Sequence, residues 1–148
     1  MTTFIQNRKA RFNFEILENF EAGLVLLGTE VKSIRSGKGK LDGSFVIVRG
    51  GEAFLVGASI TEFQPANTKK SYDKERPRKL LLSKKELAHI ENQTEKAGLT
   101  AIALRLYNNG QKIKLEFALA RGKKKHDKRE TLKDRDSKRE IQRTLKNQ

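Results

Sequence analysis

Ile102-Ala103-Leu104-Arg105-Leu106-Tyr107-Asn108-Asn109-Gly110-Gln111-Lys112-Ile113-Lys114-Leu115-Glu116-Phe117-Ala118-Leu119 is written in steps of two. Ile102, Leu104 and Leu106 alternate toward Asn109-Gly110, and Ile113, Leu115, Phe117 and Leu119 alternate away from it. Two period-two runs on either side of an Asn-Gly pair predict a β-hairpin. Upstream, Gly50-Gly51 divides Phe45-Val46-Ile47-Val48 from Ala53-Phe54-Leu55-Val56, which predicts a second hairpin through a turn of positive φ. Nearer the start, Arg11-Phe12-Asn13-Phe14-Glu15-Ile16 alternates polar and apolar, and Glu21-Ala22-Gly23 reads as a turn into the apolar strand Leu24-Val25-Leu26-Leu27.

Helical signals interrupt the strands twice. In Gly28-Thr29-Glu30-Val31-Lys32-Ser33-Ile34-Arg35-Ser36-Gly37-Lys38, Thr29 is the expected N-cap, Val31 and Ile34 share an apolar face, and Gly37 supplies a left-handed stop. Glu30, Lys32, Arg35 and Lys38 are expected on the wet arc of this helix, which should plug a barrel. Ser83-Lys84-Lys85-Glu86 is a capping box; Leu87, Ile90, Thr94 and Ala97 follow at helical spacing before Gly98. Between Gln64 and Lys79 periodicity gives way to Lys69, Lys70, Lys74, Arg76, Arg78 and Lys79, expected as a mobile basic loop. Six short, locally connected strands with two or three helices predict a mainly β fold: a small antiparallel Greek-key barrel of the OB-fold type.

The length of 148 residues suits one such barrel, over residues 1–121, followed by a basic C-terminal tail over 122–148. From Gly122 onward only Leu132, Ile141 and Leu145 are aliphatic, too few to offset the entropy of ordering the segment, so the tail is expected to be disordered when free. Pairs such as Asp134/Lys138 and Glu140/Arg143 would support a helix once a partner holds it.

The chain carries 32 Lys+Arg against 18 Asp+Glu, a net charge of +14, and the excess is shared between barrel and tail. This charge points to a polyanion, nucleic acid before membrane, because the basic segments lack the Trp/Phe/Leu faces of interfacial helices. No cysteine is present, which excludes disulfides and thiolate chemistry. With no long apolar run, a cytoplasmic protein with no membrane partner is expected. No nucleophile–base constellation, metal-ligand cluster or complete phosphate-gripping loop stands out, so a non-enzymatic protein without cofactor or metal is expected.

Five blocks in order, Asn7-Arg8-Lys9-Ala10-Arg11, Phe20-Glu21-Ala22-Gly23, Gly28-Thr29-Glu30-Val31-Lys32-Ser33, Arg78-Lys79-Leu80-Leu81-Leu82 and Ala120-Arg121-Gly122-Lys123-Lys124, resemble the SsrA-binding protein (small protein B) family. Asp127-Lys128-Arg129 and Lys138-Arg139-Glu140 extend the resemblance through the tail. It implies an adaptor that binds the tRNA-like domain of transfer-messenger RNA and delivers it, with elongation factor Tu, to stalled ribosomes for trans-translation. It also implies a tail that becomes helical on the ribosome. By that resemblance Asn7, Glu21 and Leu81 are RNA-binding positions, and Gly122, Lys123, Lys124, His126, Asp127, Lys128 and Arg129 form a ribosome-binding tail motif in which His126 stacks on ribosomal RNA. Lys32, Arg35, Lys79 and Lys128 are candidate phosphate contacts. Glu21 has two readings, an acceptor for RNA donors or a turn-stabilising acid; Leu81 also has two, a base-packing surface or core. His126 is equally readable as a solvated tail residue. Phe12, where many members carry histidine, departs from the family pattern. A monomer is expected. The alternative is a ribosomal or ribosome-assembly protein with the same barrel and a basic extension bound to ribosomal RNA.

Overall fold

The computed structural model describes residues 2–63 and 71–123. In chain order the elements are β1 (Thr3–Gln6), α1 (Ala10–Asn13), β2 (Phe14–Leu24), α2 (Gly28–Arg35), β3 (Gly39–Lys40), β4 (Phe45–Arg49), β5 (Glu52–Val56), β6 (Ser59–Ile60), β7 (Arg78–Leu81), α3 (Lys84–Lys96), β8 (Thr100–Asn109) and β9 (Lys112–Gly122). The main sheet runs β1-β8-β4-β5-β7-β2-β9, and β9 also pairs with β8. Six strands therefore close an antiparallel barrel, with β1 sharing one edge of β8 with β4. Closure pairs the edges that an open sheet would leave free.

Both predicted hairpins form. Asn109 pairs with Lys112 and Arg49 with Glu52, and Gly50, Gly51 and Gly110 take positive φ. The alternation in β8 is broken, however, by an irregularity in register between Ala103 and Arg105. Since one extra residue exchanges the faces of a strand, Ala101, Ala103 and Leu106 enter the barrel core, while Ile102 and Leu104 join a second cluster with Ala10, Ala118 and Ala120.

The start of the chain departs from the expected strand over Arg11–Ile16. Residues 10–13 form the short α1, closed by Asn13 N–H donating to Lys9 O at 3.0 Å, and Ala10 is buried in the second cluster. This turn carries the chain from β1, against β8, to β2, against β9. Glu21-Ala22-Gly23 is not a turn: β2 continues through it, pairing with Glu116, Leu115 and Lys114. The inward side chain of Ala22 and the partnership of Gly23 with both Leu81 and Lys114 hold it extended. Beyond Leu24 the expected strand ends, and Val25 and Leu27 are exposed.

Helix α2 lies at the barrel end near Gln111 and Ile113, with Ile34 fully buried among Ile5, Leu41 and Ile60. Its N-cap is Leu27, not Thr29: the Glu30 carboxylate accepts Leu27 N–H at 2.9 Å. Gly37, at φ 72°, donates to Ile34 O, and Lys38 donates to Ser33 O, so the expected glycine stop is in place. Helix α3 begins with the expected Ser83/Glu86 capping box and inserts Ile90 into the core near the start of β8. The two helices thus cover opposite ends of the barrel.

Glu30 is not on the wet arc. It shares the buried face of α2 with Ser33 and Ile34 and is 1% exposed. Arg78, itself buried, donates to Glu30 Oε2 through Nε at 2.9 Å and Nη2 at 2.7 Å; Arg76 and the Tyr72 hydroxyl donate to the same carboxylate. The region expected as a loop up to Lys79 accordingly includes β7 and a fixed segment before it, while residues 64–70 lie outside those described.

Candidate nucleic-acid interface

Across the outer face of the barrel the register aligns Leu81, Gly23, Lys114 and Tyr107 in one row and Glu21, Glu116, Arg105 and Gln6 in the next. These residues alternate with the inward Leu80, Ala22, Leu115 and Leu106, so period two selects a solvent face opposite the core. Leu81 is 57% exposed, which decides between its two readings in favour of a surface position. A Cβ at Gly23 would stand 3.4 Å from Leu81 Cδ1 and 3.7 Å from Lys114 Nζ; the missing side chain leaves a shallow trough between them.

Glu21 is exposed, and Tyr107 and Asn109 hold its carboxylate from one side. The Tyr107 hydroxyl donates to Oε2, and Asn109 Nδ2 approaches Oε1 at 3.4 Å. The Tyr107 hydrogen bond is the main influence drawing the Glu21 carboxyl below its ordinary pKa, with smaller help from Asn109, Lys114 and Arg105 against partial desolvation. Burial, reinforced by the Glu21 hydrogen bond, pushes the Tyr107 phenol up, so it stays a donor at neutral pH. Arg105 covers the tyrosine ring, its guanidinium carbon 4.2 Å from the centroid, and donates to Glu116 at 3.2 Å and Thr3 at 2.9 Å. An aligned carboxylate with open lone pairs can accept hydrogen bonds from a base edge or a 2′-OH.

Beside this strip, a groove of about 380 Å³ opens between the end of β2, helix α2 and the β8–β9 turn. Its walls include Leu24, Leu26, Val31 and Leu81, and Arg35, Lys112 and Lys114 stand at its rim. Arg35 is held by a 2.8 Å hydrogen bond to Gln111 O. Apolar walls with cations around them suit a base and its phosphates.

Of the residues predicted from sequence, Glu21, Leu81 and Arg35 meet on this side. Lys79 lies two residues from Leu81 on the same face of β7 and pairs with Glu52 at 3.0 Å. Lys32 stands apart with Lys38, their ammonium groups 5.9 and 5.4 Å from the Phe63 ring centre. Asn7 is buried and donates through Nδ2 to Ala103 O at 2.9 Å, lining a separate polar pocket. Gly122 is the last residue of β9, paired with Phe14, and Lys123 N–H donates to Asn13 O. Lys124, His126, Asp127, Lys128 and Arg129 lie outside the described residues, as does the expectation of a tail disordered when free. Sequence reasoning missed Tyr107, Arg105, Lys112 and Lys114. The two-residue turn after Asn109 carried the signal, since counting outward from it sets Tyr107 opposite Lys114.

A family model described as SmpB protein matches residues 4–147. Among curated proteins, the SsrA-binding protein of Chelativorans sp. (strain BNC1) is 50% identical over 147 residues, covering 99% of this chain and 94% of that one. The SsrA-binding protein of Thermosynechococcus vestitus is 49% identical over 141 residues, covering 95% and 93%. A chain in a solved structure described as "tmRNA-SmpB: a journey to the center of the bacterial ribosome" superposes with a TM-score of 0.67 at 43% identity, over 81% of this chain and 84% of that one.

Proposed function

The chain belongs to the SmpB protein family, and from that premise we propose that it is a non-enzymatic adaptor, binding the tRNA-like domain of transfer-messenger RNA and delivering it to stalled bacterial ribosomes in the cytoplasm. The observation that carries this reading is the outer strip of the barrel, where the aligned Glu21 carboxylate, the exposed Leu81 and the groove rimmed by Arg35, Lys112 and Lys114 adjoin. Cations there attract phosphate over distance, whereas the carboxylate and the leucine supply contacts that depend on geometry. Delivery to the ribosome draws on the basic segment after Gly122, with Lys124, His126, Lys128 and Arg129 as its contacts. His126 acts there as a flat ring stacked on a ribosomal base, and elongation factor Tu is the companion in delivery.

Sequencing the RNA that co-purifies with the chain tests the reading. An adaptor enriches one discrete RNA carrying a tRNA-like end and leaves the ribosome at high salt. Retention on the large or small subunit at high salt, with ribosomal RNA alone recovered, would instead identify a permanent ribosomal or assembly protein.

A further inference from the structure

We propose that the turn bearing Arg8 and Arg11 is a phosphate site for the RNA backbone, and that Asn7 is its positioning residue without touching RNA. The proposal rests on the RNA-binding reading above and extends it to a second part of the same face. Asn7, Arg8, Arg11, Arg105 and Glu116 line a polar pocket of about 380 Å³. Arg105 is committed to Glu116 and Thr3, while Arg8 and Arg11 are exposed and form no ion pair among the described residues. The pocket therefore keeps two guanidinium groups whose planar donor forks match phosphate oxygens.

The turn is anchored from beneath. Asn7 N–H donates to Leu104 O at 2.8 Å, its Nδ2 donates to Ala103 O at 2.9 Å, and its carbonyl accepts Ala10 N–H at 3.4 Å. Ala10 packs against Ile102, Leu104 and Ala118. At 8% exposure, and with its backbone N–H and one Nδ2 hydrogen committed to β8, Asn7 faces the fold more than the solvent; it sets the direction of Arg8 and Arg11. The row Glu21, Glu116, Arg105, Gln6 leads from the Glu21 site to this pocket. Gln6 lies three strand pairings from Glu21 along this row, about 14 Å at the usual inter-strand spacing, so an RNA backbone lying along the row spans both sites.

The experiment measures affinity of the full chain for the tRNA-like domain of transfer-messenger RNA through a potassium chloride series. Arg8→Ala/Arg11→Ala should bind at least tenfold more weakly at low salt, and its log–log salt slope should shrink by about 0.7–0.9 for each phosphate left without its cation. Arg49→Ala/Lys96→Ala, one cation beside α3 and one at its end, should keep the wild-type slope. Asn7→Ala should reproduce the smaller slope and add nothing when combined with Arg8→Ala/Arg11→Ala. Should Asn7→Ala fail to fold, Asn7→Ser, which stays polar but is too short to hold Ala103 O, replaces it in the cycle with the same expected outcome. A wild-type slope in Arg8→Ala/Arg11→Ala overturns the phosphate site, and additive losses show that Asn7 contacts RNA directly. If the wild-type chain does not bind this RNA, the RNA reading itself falls and this site with it.

Discussion

Glu30 and Glu21 each accept a hydrogen bond from a tyrosine hydroxyl and sit near arginines, yet their surroundings differ. Glu30 is enclosed: Arg76, Arg78, Tyr72 and Leu27 N–H occupy both oxygens, binding α2 to β7 and to the segment before it. Glu21 is held from one side and left open on the other. Burial raises the Glu30 carboxyl pKa, but hydrogen bonds from Arg76, Leu27 and Arg78 outweigh it and leave the carboxyl below its ordinary value. A saturated, buried carboxylate is committed to the fold, whereas an aligned, unsaturated one is available to a ligand.

Glu30→Gln is the substitution that strains this contrast most. Removing the charge strands Arg78 in the core, and breaking a buried ion pair costs about 3–5 kcal/mol, a large share of the roughly 5–15 kcal/mol that holds a domain folded. Urea melts should show that loss. The pH dependence follows the same carboxyl: because its folded pKa is depressed, its contribution is present above the ordinary value of 4.5 and is lost as the solution is acidified through the lower folded value. Glu30→Gln should flatten that acid limb. A variant that melts like wild type would end the claim that burial makes Glu30 structural.

Glu21→Gln should do the opposite, since the amide oxygen still accepts from Tyr107 and the stability change should stay within about 0.5 kcal/mol. Affinity for the tRNA-like domain should fall by about 1.5–3 kcal/mol through loss of hydrogen bonds to a charged acceptor. Titrations and melts on the same preparation measure both, and a loss of stability without a loss of affinity would move Glu21 into the class of Glu30.

Tyr107→Phe gives the smallest effect and the finest discrimination. It removes one hydrogen bond to a solvent-exposed carboxylate, worth about 0.5–1.5 kcal/mol there, and leaves only Asn109 to hold Glu21. The Glu21 carboxyl should then titrate closer to its ordinary value, which carbon-detected NMR of the side-chain carboxyls reads directly. An unchanged Glu21 titration would show that Tyr107 does not align it.

The contrast also marks where sequence reasoning failed. Ser83/Glu86, Gly37, Gly50-Gly51 and Asn109-Gly110 were legible because each is a contact or backbone constraint within a few residues. Glu30 was misplaced because a charge on an amphipathic helix belongs in water unless a partner meets it inside, and its partner Arg78 is 48 residues away. Glu21 was recognised as a candidate through resemblance, but its alignment by Tyr107 spans 86 positions. Tyr107 lies on the outer face and yet is only 2% exposed, with Arg105 over its ring and Glu21 at its hydroxyl.

Composition and local spacing alone therefore determined a basic, mainly β chain with two tight hairpins, two capped helices and a polar tail, since those features depend on backbone sterics and short-range hydrogen bonds. Only the tertiary structure decided that β2 runs straight through Glu21-Ala22-Gly23, that Arg78 is core while Leu81 is surface, and that Glu30 and Glu21 have opposite fates. Barrel closure chooses those outcomes: pairing β8 with β9 and β2 with β7 settles which side of each strand faces the interior, and a charge can stay inside only where closure brings its counter-charge within hydrogen-bonding reach.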